Sequence, residues 1–168
     1  KYGVGDFPKA AEEQGADRRV LSLSGSCGLN VCGVPIGKGR KNIVSNERPA
    51  VLLVGAGGYG RLYMDYMWKH DIGAELVGIC DIDPELERHF PEIAAHHVPV
   101  YPSIDAFYRE NRADLAVLVS PVHFHTDMTL ACLAHGTNVL CEKPLCLTTE
   151  DAIKMKEAAE NAGCFLSV

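Results

Sequence analysis

The pattern of apolar and polar positions divides the chain near residue 48. From there on, short apolar runs alternate with amphipathic stretches, which is typical of strands that alternate with helices. The predicted strands are residues 50–54, 74–81, 97–101, 115–120, 138–141 and 164–168. The predicted helices are residues 61–69, 84–90, 103–111, 126–135 and 149–161. This order predicts an α/β fold with a doubly wound parallel sheet.

The first 47 residues lack such periodicity and are rich in glycine, serine and charge. We expect an irregular or partly disordered N-terminal arm over residues 1–47 and a compact domain over residues 48–168. Arg18-Arg19 and the apolar residues after it have some features of a twin-arginine export signal. However, Ser and Gly interrupt that apolar run, and no small-residue cleavage site stands out. We therefore expect a cytoplasmic protein, with twin-arginine export as the alternative.

Composition narrows the class of protein. The 168 residues are 47% hydrophobic and 23% charged, as in ordinary soluble domains. A net charge of -6 without a basic stripe argues against nucleic acid as a partner. No apolar run reaches the length of about 18 residues that a membrane span needs, so no membrane partner is expected. The seven cysteines form no Cys-x-x-Cys pair, which predicts free thiols and no metal site.

A glycine-rich turn directly follows the first predicted strand, with the spacing Gly55-x-Gly57-x-x-Gly60. Gly55 permits a tight turn, Gly57 lets the backbone approach a pyrophosphate, and Gly60 lets the next helix pack closely on the strand. The N–H groups at the start of that helix attract phosphate charge. The motif predicts a Rossmann-type dinucleotide-binding domain whose turn contacts the cofactor through five residues: Gly55, Gly57, Gly58, Tyr59 and Gly60.

An acidic residue, Asp81, lies at the end of the second predicted strand, 21 residues after Gly60. At that place a carboxylate can accept hydrogen bonds from the hydroxyls of the adenosine ribose. Its charge would repel the 2′-phosphate of NADP, so we expect NAD to be the preferred cofactor. The alternative is that Asp81 only starts the turn that leads to Pro84, although Asp83 suits that role better.

Two further groups of polar residues follow the fourth and fifth predicted strands. These are Ser120-Pro121 and Glu142-Lys143-Pro144, and ligands bind where parallel strands end. Desolvation of Lys143 would lower its pKa, and the side chain would then exchange a proton with a substrate hydroxyl during hydride transfer. The alternative is a surface lysine that pairs with Glu142.

Two histidines, His123 and His125, would face the same side if the fourth strand continued through them. That arrangement suits a metal, but no third ligand lies nearby in the sequence, so we expect none. Alternatively, one histidine caps the following helix and the other contacts the cofactor.

Taken together, these motifs show that residues 50–168 resemble the N-terminal half of the Gfo/Idh/MocA oxidoreductases. The resemblance is specific because four motifs agree in order and spacing. They are the glycine turn, Cys80-Asp81, Ser120-Pro121 with His125 four residues on, and Glu142-Lys143-Pro144-Leu145. One departure is Val122, where the family often has asparagine.

The resemblance implies NAD(P)-dependent oxidation or reduction of a sugar, cyclitol or related polyol. It implies that Lys143 is the catalytic general acid or base, beside the nicotinamide and the substrate. Ser120, Pro121 and His125 would line the nicotinamide side of the cofactor, and Glu142 would also belong to the cofactor site. A substrate domain outside this chain and a homo-oligomeric enzyme are further implications. The alternatives are NAD-dependent glycoside cleavage and a non-catalytic NAD-binding or scaffolding module.

Overall fold

A computed structural model of the protein describes residues 48–168. The predictions that concern residues 1–47 lie outside the described residues. They include the irregular arm, the twin-arginine alternative, and the free state of Cys27 and Cys32.

The described residues form a six-stranded sheet in which every neighbouring pair of strands is parallel. The strand order is β3-β2-β1-β4-β5-β6, so successive connections run first to one side of β1 and then to the other. This arrangement confirms the predicted doubly wound parallel sheet. The strands are β1 (Ala50–Val54), β2 (Glu75–Cys80), β3 (Val100–Tyr101), β4 (Leu115–Leu118), β5 (Asn138–Cys141) and β6 (Leu166–Ser167).

Within residues 48–168, six α-helices cover the two faces of the sheet. They are α1 (Gly60–Lys69), α2 (Leu86–His89), α3 (Glu92–Ala95), α4 (Ile104–Glu110), α5 (His125–Ala134) and α6 (Thr149–Ala162). The core therefore has two parts, one on each face of the sheet. On one face, Val51 and Leu53 of β1 pack with α1, α2 and α3. Leu52 and Val54 point to the opposite face and pack with α4, α5 and α6. None of the helices within residues 48–168 is long and apolar enough to cross a membrane.

Local signals fix several helix ends as predicted. The Ser103 hydroxyl accepts a hydrogen bond from the N–H of Ala106 at 3.1 Å and so caps α4. Gly163 ends α6 in the left-handed conformation, with a φ of 64°. The N–H of Cys164 still bonds to the carbonyl of Ala159 within this helix end, which is why β6 begins later than predicted.

The segment between β2 and β3 differs most from the prediction. The single predicted helix over residues 84–90 is shorter, and α3 follows it. The predicted strand over residues 97–101 shrinks to two residues. His97 has a positive φ of 56°, and the N–H of Val98 turns back to bond with Ile93. The strand therefore cannot begin at His97, contrary to the prediction.

The cysteines of the described part are free thiols, as expected. Cys80, Cys132 and Cys141 are buried, and Cys146 and Cys164 are half-buried. Burial raises the pKa of the Cys80 and Cys132 thiols to about 12 and that of Cys141 to about 11. These thiols are therefore protonated core residues at neutral pH.

Candidate functional site

A cleft of about 520 Å³ opens where the strand order reverses, at the carboxyl ends of β1 and β4. Connections that leave adjacent strands in opposite directions create such a crevice, which is the usual ligand site of an open parallel sheet. Seven of the predicted site residues line it: Gly55, Gly57, Gly58, Tyr59, Asp81, Ser120 and Pro121. The other four, which are Gly60, His125, Glu142 and Lys143, lie outside its lining.

Two glycines of the turn allow close contact between backbones. Gly55 has a φ of 89°, and a Cβ there would lie 3.0 Å from the backbone nitrogen of Ser120. A Cβ on Gly60 would collide with the carbonyl oxygen of Gly55. The end of β1 can therefore pass beneath the loop after β4, and α1 can start directly against β1.

Gly57 has a different environment, because a Cβ there would meet no atom within 4 Å. Within residues 48–168, the backbone N–H groups of Gly57, Gly58 and Tyr59 donate to no protein acceptor. These groups lie at the N-terminus of α1, where the helix dipole is positive. Unused donors beside open space fit a phosphate group, so the turn can hold a pyrophosphate.

Asp81 connects the turn after β1 to the turn after β2. Its Oδ2 accepts the N–H of Ala56 at 2.8 Å, and its Oδ1 accepts the N–H of Asp83 at 2.9 Å. Asp83 in turn accepts the N–H of Glu85 at 2.9 Å. Asp81 therefore does start a turn, which was the alternative reading, and it also lines the cleft. A carboxylate has about four acceptor positions, so these two bonds leave room for a ribose hydroxyl.

Glu142 is held by a residue that sequence reasoning missed. The phenol of Tyr63 donates to Glu142 Oε1 at 2.6 Å, and Glu142 Oε2 accepts the backbone N–H of Lys143 at 3.1 Å. Burial, followed by the bond to Glu142, raises the pKa of Tyr63 to about 12. The same bond is the main cause that lowers the pKa of the Glu142 carboxyl. Tyr63 and Glu142 are far apart in the chain, and no local motif indicates their contact.

Lys143 is exposed, so the neighbouring strand residues do not desolvate its ammonium group, contrary to the expectation from sequence. The residue lies on the turn after β5, beyond the apolar strand, and its bond to Pro144 is cis. Its Nζ lies 5.9 Å from the centroid of the Tyr59 ring, within the range of a cation–π contact. This contact brings the ammonium group towards a residue that lines the cleft.

His125 joins the loops that follow β4 and β5. The side chain is only 1% exposed, with Nε2 2.7 Å from the carbonyl oxygen of Ser120 and Nδ1 3.0 Å from that of Pro144. Carbonyl oxygens only accept, so each contact is a hydrogen bond when its ring nitrogen carries a proton. The role of His125 beside the nicotinamide stays a prediction, and its observed contacts are with the chain's own backbone.

The fourth strand does not continue through His123 and His125, so the condition under which they would face the same side is not met. The chain leaves β4 and forms a 3₁₀ turn over Val122–Phe124, which leads directly into α5. His123 is exposed on this turn, whereas His125 is buried. Within residues 48–168, no group of three or more potential metal-ligating side chains occurs.

Apolar side chains complete the cleft, and sequence reasoning missed them too. Ile82, directly after Asp81, is 87% exposed, and Pro102, Phe124 and Met128 also line the cleft. The position of Ile82 next to the strand-end acid was a usable signal. Pro102 was harder to find because it follows a strand of only two residues. These side chains give the cleft apolar walls beside its polar turn.

A second groove of about 430 Å³ runs along α1 but does not suit a charged cofactor. Its walls are almost entirely apolar and include Leu62, Tyr66 and Ile72 together with Val117 and Leu140 of the sheet. A phosphate placed there would lose its hydration without gaining hydrogen bonds. The cleft at the glycine turn is therefore the better candidate site.

Comparison with curated proteins finds dehydrogenases. The chain is 32% identical over 118 residues to inositol 2-dehydrogenase from Rubrobacter xylanophilus, which covers 70% of this chain and 33% of that protein. It is 30% identical over 84 residues to scyllo-inositol 2-dehydrogenase (NADP(+)) from Bacillus subtilis, which covers 50% and 22%. The chain thus spans about a third of the length of the first curated relatives it matches.

Solved structures show the same fold. The WlbA dehydrogenase from Bordetella pertussis, in complex with NADH and UDP-GlcNAcA, superposes with a TM-score of 0.66 and 28% identity over 74% of this chain and 36% of that one. Residues 50–168 also match the sequence profile of GFO_IDH_MocA, described as the oxidoreductase family with an NAD-binding Rossmann fold. Since this match covers most of the chain, the protein belongs to the Gfo/Idh/MocA oxidoreductase family.

Proposed function

We propose that this chain provides the cofactor site of an NAD-dependent oxidoreductase that acts on a sugar, cyclitol or related polyol. The observation that carries the proposal is one cleft that combines three unused N–H donors at a helix N-terminus with the Asp81 carboxylate. The substrate class is supported by relatives that are named inositol dehydrogenases, and by WlbA, which binds UDP-GlcNAcA with NADH.

The cleft residues divide between the parts of the dinucleotide. The N–H groups of Gly57, Gly58 and Tyr59 would hold the pyrophosphate, and Asp81 would hold the adenosine ribose. The exposed side chain of Ile82 would cover the adenine, and the Ser120-Pro121 loop would lie on the nicotinamide side. The bound nicotinamide supplies the hydride acceptor or donor.

Asp81 would also set the preference for NAD over NADP. A carboxylate that accepts ribose hydroxyls leaves no favourable place for a 2′-phosphate, because two like charges would lie close together in a partly desolvated cleft. The Bacillus subtilis relative is named for NADP(+), so this preference differs within the group of similar proteins. In this chain the acid favours NAD.

Lys143 is proposed as the general acid or base. Its ammonium group lies on the exposed turn after β5 and faces Tyr59, which lines the cleft. From there it would give a proton to, or take one from, a substrate hydroxyl oxygen. Glu142 and His125 would act through the loops that they hold, since their polar atoms contact the chain itself. The native homo-oligomer stays a prediction.

The test is calorimetric titration of NAD and of NADP into the protein and into two variants. Asp81→Asn removes the charge that would face the ribose, whereas Asp83→Asn makes the same change at the next turn-forming acid. We expect the unsubstituted protein and Asp83→Asn to prefer NAD by at least about tenfold, or 1.4 kcal/mol, and Asp81→Asn to lose that preference.

Equal affinity for the two cofactors in the unsubstituted protein would contradict the NAD assignment. Absence of binding to either cofactor would contradict the proposed function as a whole and favour the scaffolding alternative. A redox-assisted glycoside cleavage has no observation in its favour among the described residues.

A further inference from the structure

Tyr63 and Glu142 connect the first helix to the loop that carries Lys143. Tyr63 lies on α1, three residues after Gly60, and Glu142 directly follows β5. The phenol donates to Glu142 Oε1 at 2.6 Å, a length typical of a charge-assisted O–H···O⁻ bond. The contact spans 79 residues of sequence, so it joins two parts of the site that meet only in the folded protein.

Hydrogen bonds hold both the backbone and the side chain of Glu142. Its backbone N–H donates to the carbonyl of Leu118 at the end of β4, at 2.9 Å. Its side chain accepts the phenol of Tyr63 on one oxygen and the backbone N–H of Lys143 on the other. If the Glu142 carboxylate moved away from Tyr63, its hydrogen bond with the Lys143 N–H would be weakened as well.

The protonation states of the pair keep one residue a hydrogen-bond donor and the other an acceptor near neutral pH. The pKa of Tyr63 is raised to about 12, first by burial and then by Glu142. The pKa of Glu142 is lowered, first by the bond from Tyr63. The phenol therefore stays a neutral donor and the carboxylate a charged acceptor. A pair that holds its protons in this way serves to fix a geometry and not to transfer a proton.

The Lys143 ammonium group also lies near the start of α1. Its Nζ lies 5.9 Å from the ring centroid of Tyr59, at the start of the same helix that carries Tyr63. The start of α1 thus contacts the loop after β5 that carries Lys143 (the lysine loop) at two places. The Tyr63 phenol bonds to the Glu142 carboxylate, and the Tyr59 ring lies near the Lys143 ammonium. Since α1 also begins at the N–H groups of the glycine turn, one element carries both sets of contacts.

We propose that Tyr63 is a positioning residue, which holds Glu142 against α1 and thereby fixes the Lys143 backbone and directs its ammonium group towards the cofactor cleft. This inference rests on the proposed role of Lys143. It adds to that role a residue outside the glycine motif and outside the lysine loop.

The test follows the Lys143 amide by NMR in the full chain labelled with ¹⁵N-lysine. The Lys143→Arg variant identifies its signal, and the amide of Lys154 on α6 is an internal reference. Tyr63→Phe removes only the phenol hydroxyl. We expect hydrogen exchange of the Lys143 amide to accelerate by about tenfold, because a charge-assisted contact is lost. Exchange of the Lys154 amide should accelerate much less, because α6 packs on the face of the sheet opposite to α1.

The matched control is Tyr66→Phe, which removes an exposed phenol hydroxyl from the same helix. It should leave the Lys143 amide within about twofold of the unsubstituted chain. A second measurement reports on the side chain, through ¹³C-dimethylation of the lysine amines. The Lys143 methyl signal should be displaced by the Tyr59 ring current and lose that displacement in Tyr63→Phe but not in Tyr66→Phe.

Two results would overturn the inference. One is an unchanged Lys143 amide and methyl signal in Tyr63→Phe. The other is equal acceleration at Lys143 and Lys154, which would mean that Tyr63 only supports the stability of the whole domain. Neither measurement needs a cofactor, so a failure here is distinguishable from a failure of NAD binding in the titration.

Discussion

At the scale of single residues, two glycines of one turn differ in what a side chain would meet. A Cβ on Gly60 would collide with the Gly55 carbonyl, whereas a Cβ on Gly57 would point into open space. The first glycine therefore serves packing between β1 and α1. The second keeps the surface of the turn free for a ligand to approach.

This contrast predicts different effects of the same substitution at the two positions. Gly60→Ala should lower the free energy of unfolding by about 1–3 kcal/mol, because backbone atoms must shift to admit the methyl group. Gly57→Ala should leave stability within about 0.5 kcal/mol, as at an open surface position, while it weakens NAD binding. Urea denaturation and calorimetry would measure the two effects. Equal losses of stability in both variants would contradict this division of roles.

The candidate site residues that the structure brings together in one cleft are those with a local signal in the sequence. Gly55, Gly57 and Asp81 belong to a motif of fixed spacing, and the structure places them in one cleft. The Tyr63–Glu142 bond has no such signal, because the partners approach only after α1 and β5 pack on the same sheet. The exposure of Lys143 was also misjudged, since burial depends on neighbours that are distant in sequence.

At the scale of elements, α6 has a capping residue at each end. The Thr148 hydroxyl accepts the N–H of Asp151 at 3.1 Å, and Gly163 follows the last turn with a φ of 64°. We expect Thr148→Ala and Gly163→Ala each to lower the free energy of unfolding by about 1 kcal/mol, through the lost cap and the strained left-handed residue. Glu157→Ala, at an exposed position of the same helix, should change it by less than about 0.5 kcal/mol.

Thermal and urea denaturation of the three variants would measure these differences. A Glu157→Ala loss as large as that of the two end variants would contradict the assignment of their losses to the caps, because alanine has a higher helix propensity than glutamate.

Element length decided how well the pattern predicted structure. The limits of β1, β5 and α1 agree with the prediction to within a residue, because each contains a full apolar period bounded by turn residues. The region of α2, α3 and β3 failed because each of its helices is about one turn long and its strand has a single period, whereas the four residues of β5 complete two periods of a strand. Elements of that size depend on packing against the sheet more than on their own periodicity.

At the scale of the whole molecule, the buried thiols predict a loss of stability at alkaline pH. Burial raises the pKa of Cys80 and Cys132 from about 9 to about 12, and that of Cys141 to about 11. Below pH 9 these thiols are protonated in both the folded and the unfolded chain. Above that pH the unfolded chain releases protons that the folded chain retains, so stability falls as pH rises towards 11.

Each such thiol should remove up to about 1.4 kcal/mol of unfolding free energy per pH unit in this range. Urea denaturation under reducing conditions at several alkaline pH values would measure the slope. Cys132→Ala should show a smaller slope than the unsubstituted chain, whatever its stability at neutral pH. A flat profile up to pH 11 would contradict the burial of these groups.

The sheet order brings together what the sequence separates. The reversal between β1 and β4 places the glycine turn opposite the Ser120-Pro121 loop, although these segments are distant along the chain. Alternation of strands and helices predicted this class of sheet, and the crevice follows from its topology. The contact of His125 with the Pro144 carbonyl then couples the loops of β4 and β5, which periodicity alone gives no means to predict.

The two hydrogen bonds of Asp81 have a consequence for the thermodynamics of binding. Since the N–H groups of Ala56 and Asp83 hold the carboxylate before any ligand arrives, its rotamer is already selected in the free protein. Ordering a free side chain on binding costs about 0.5–1.5 kcal/mol, and a preorganised acceptor avoids that loss of entropy. If Asp81 binds a ribose as proposed, part of that affinity is established when the sheet folds, before the ligand is encountered.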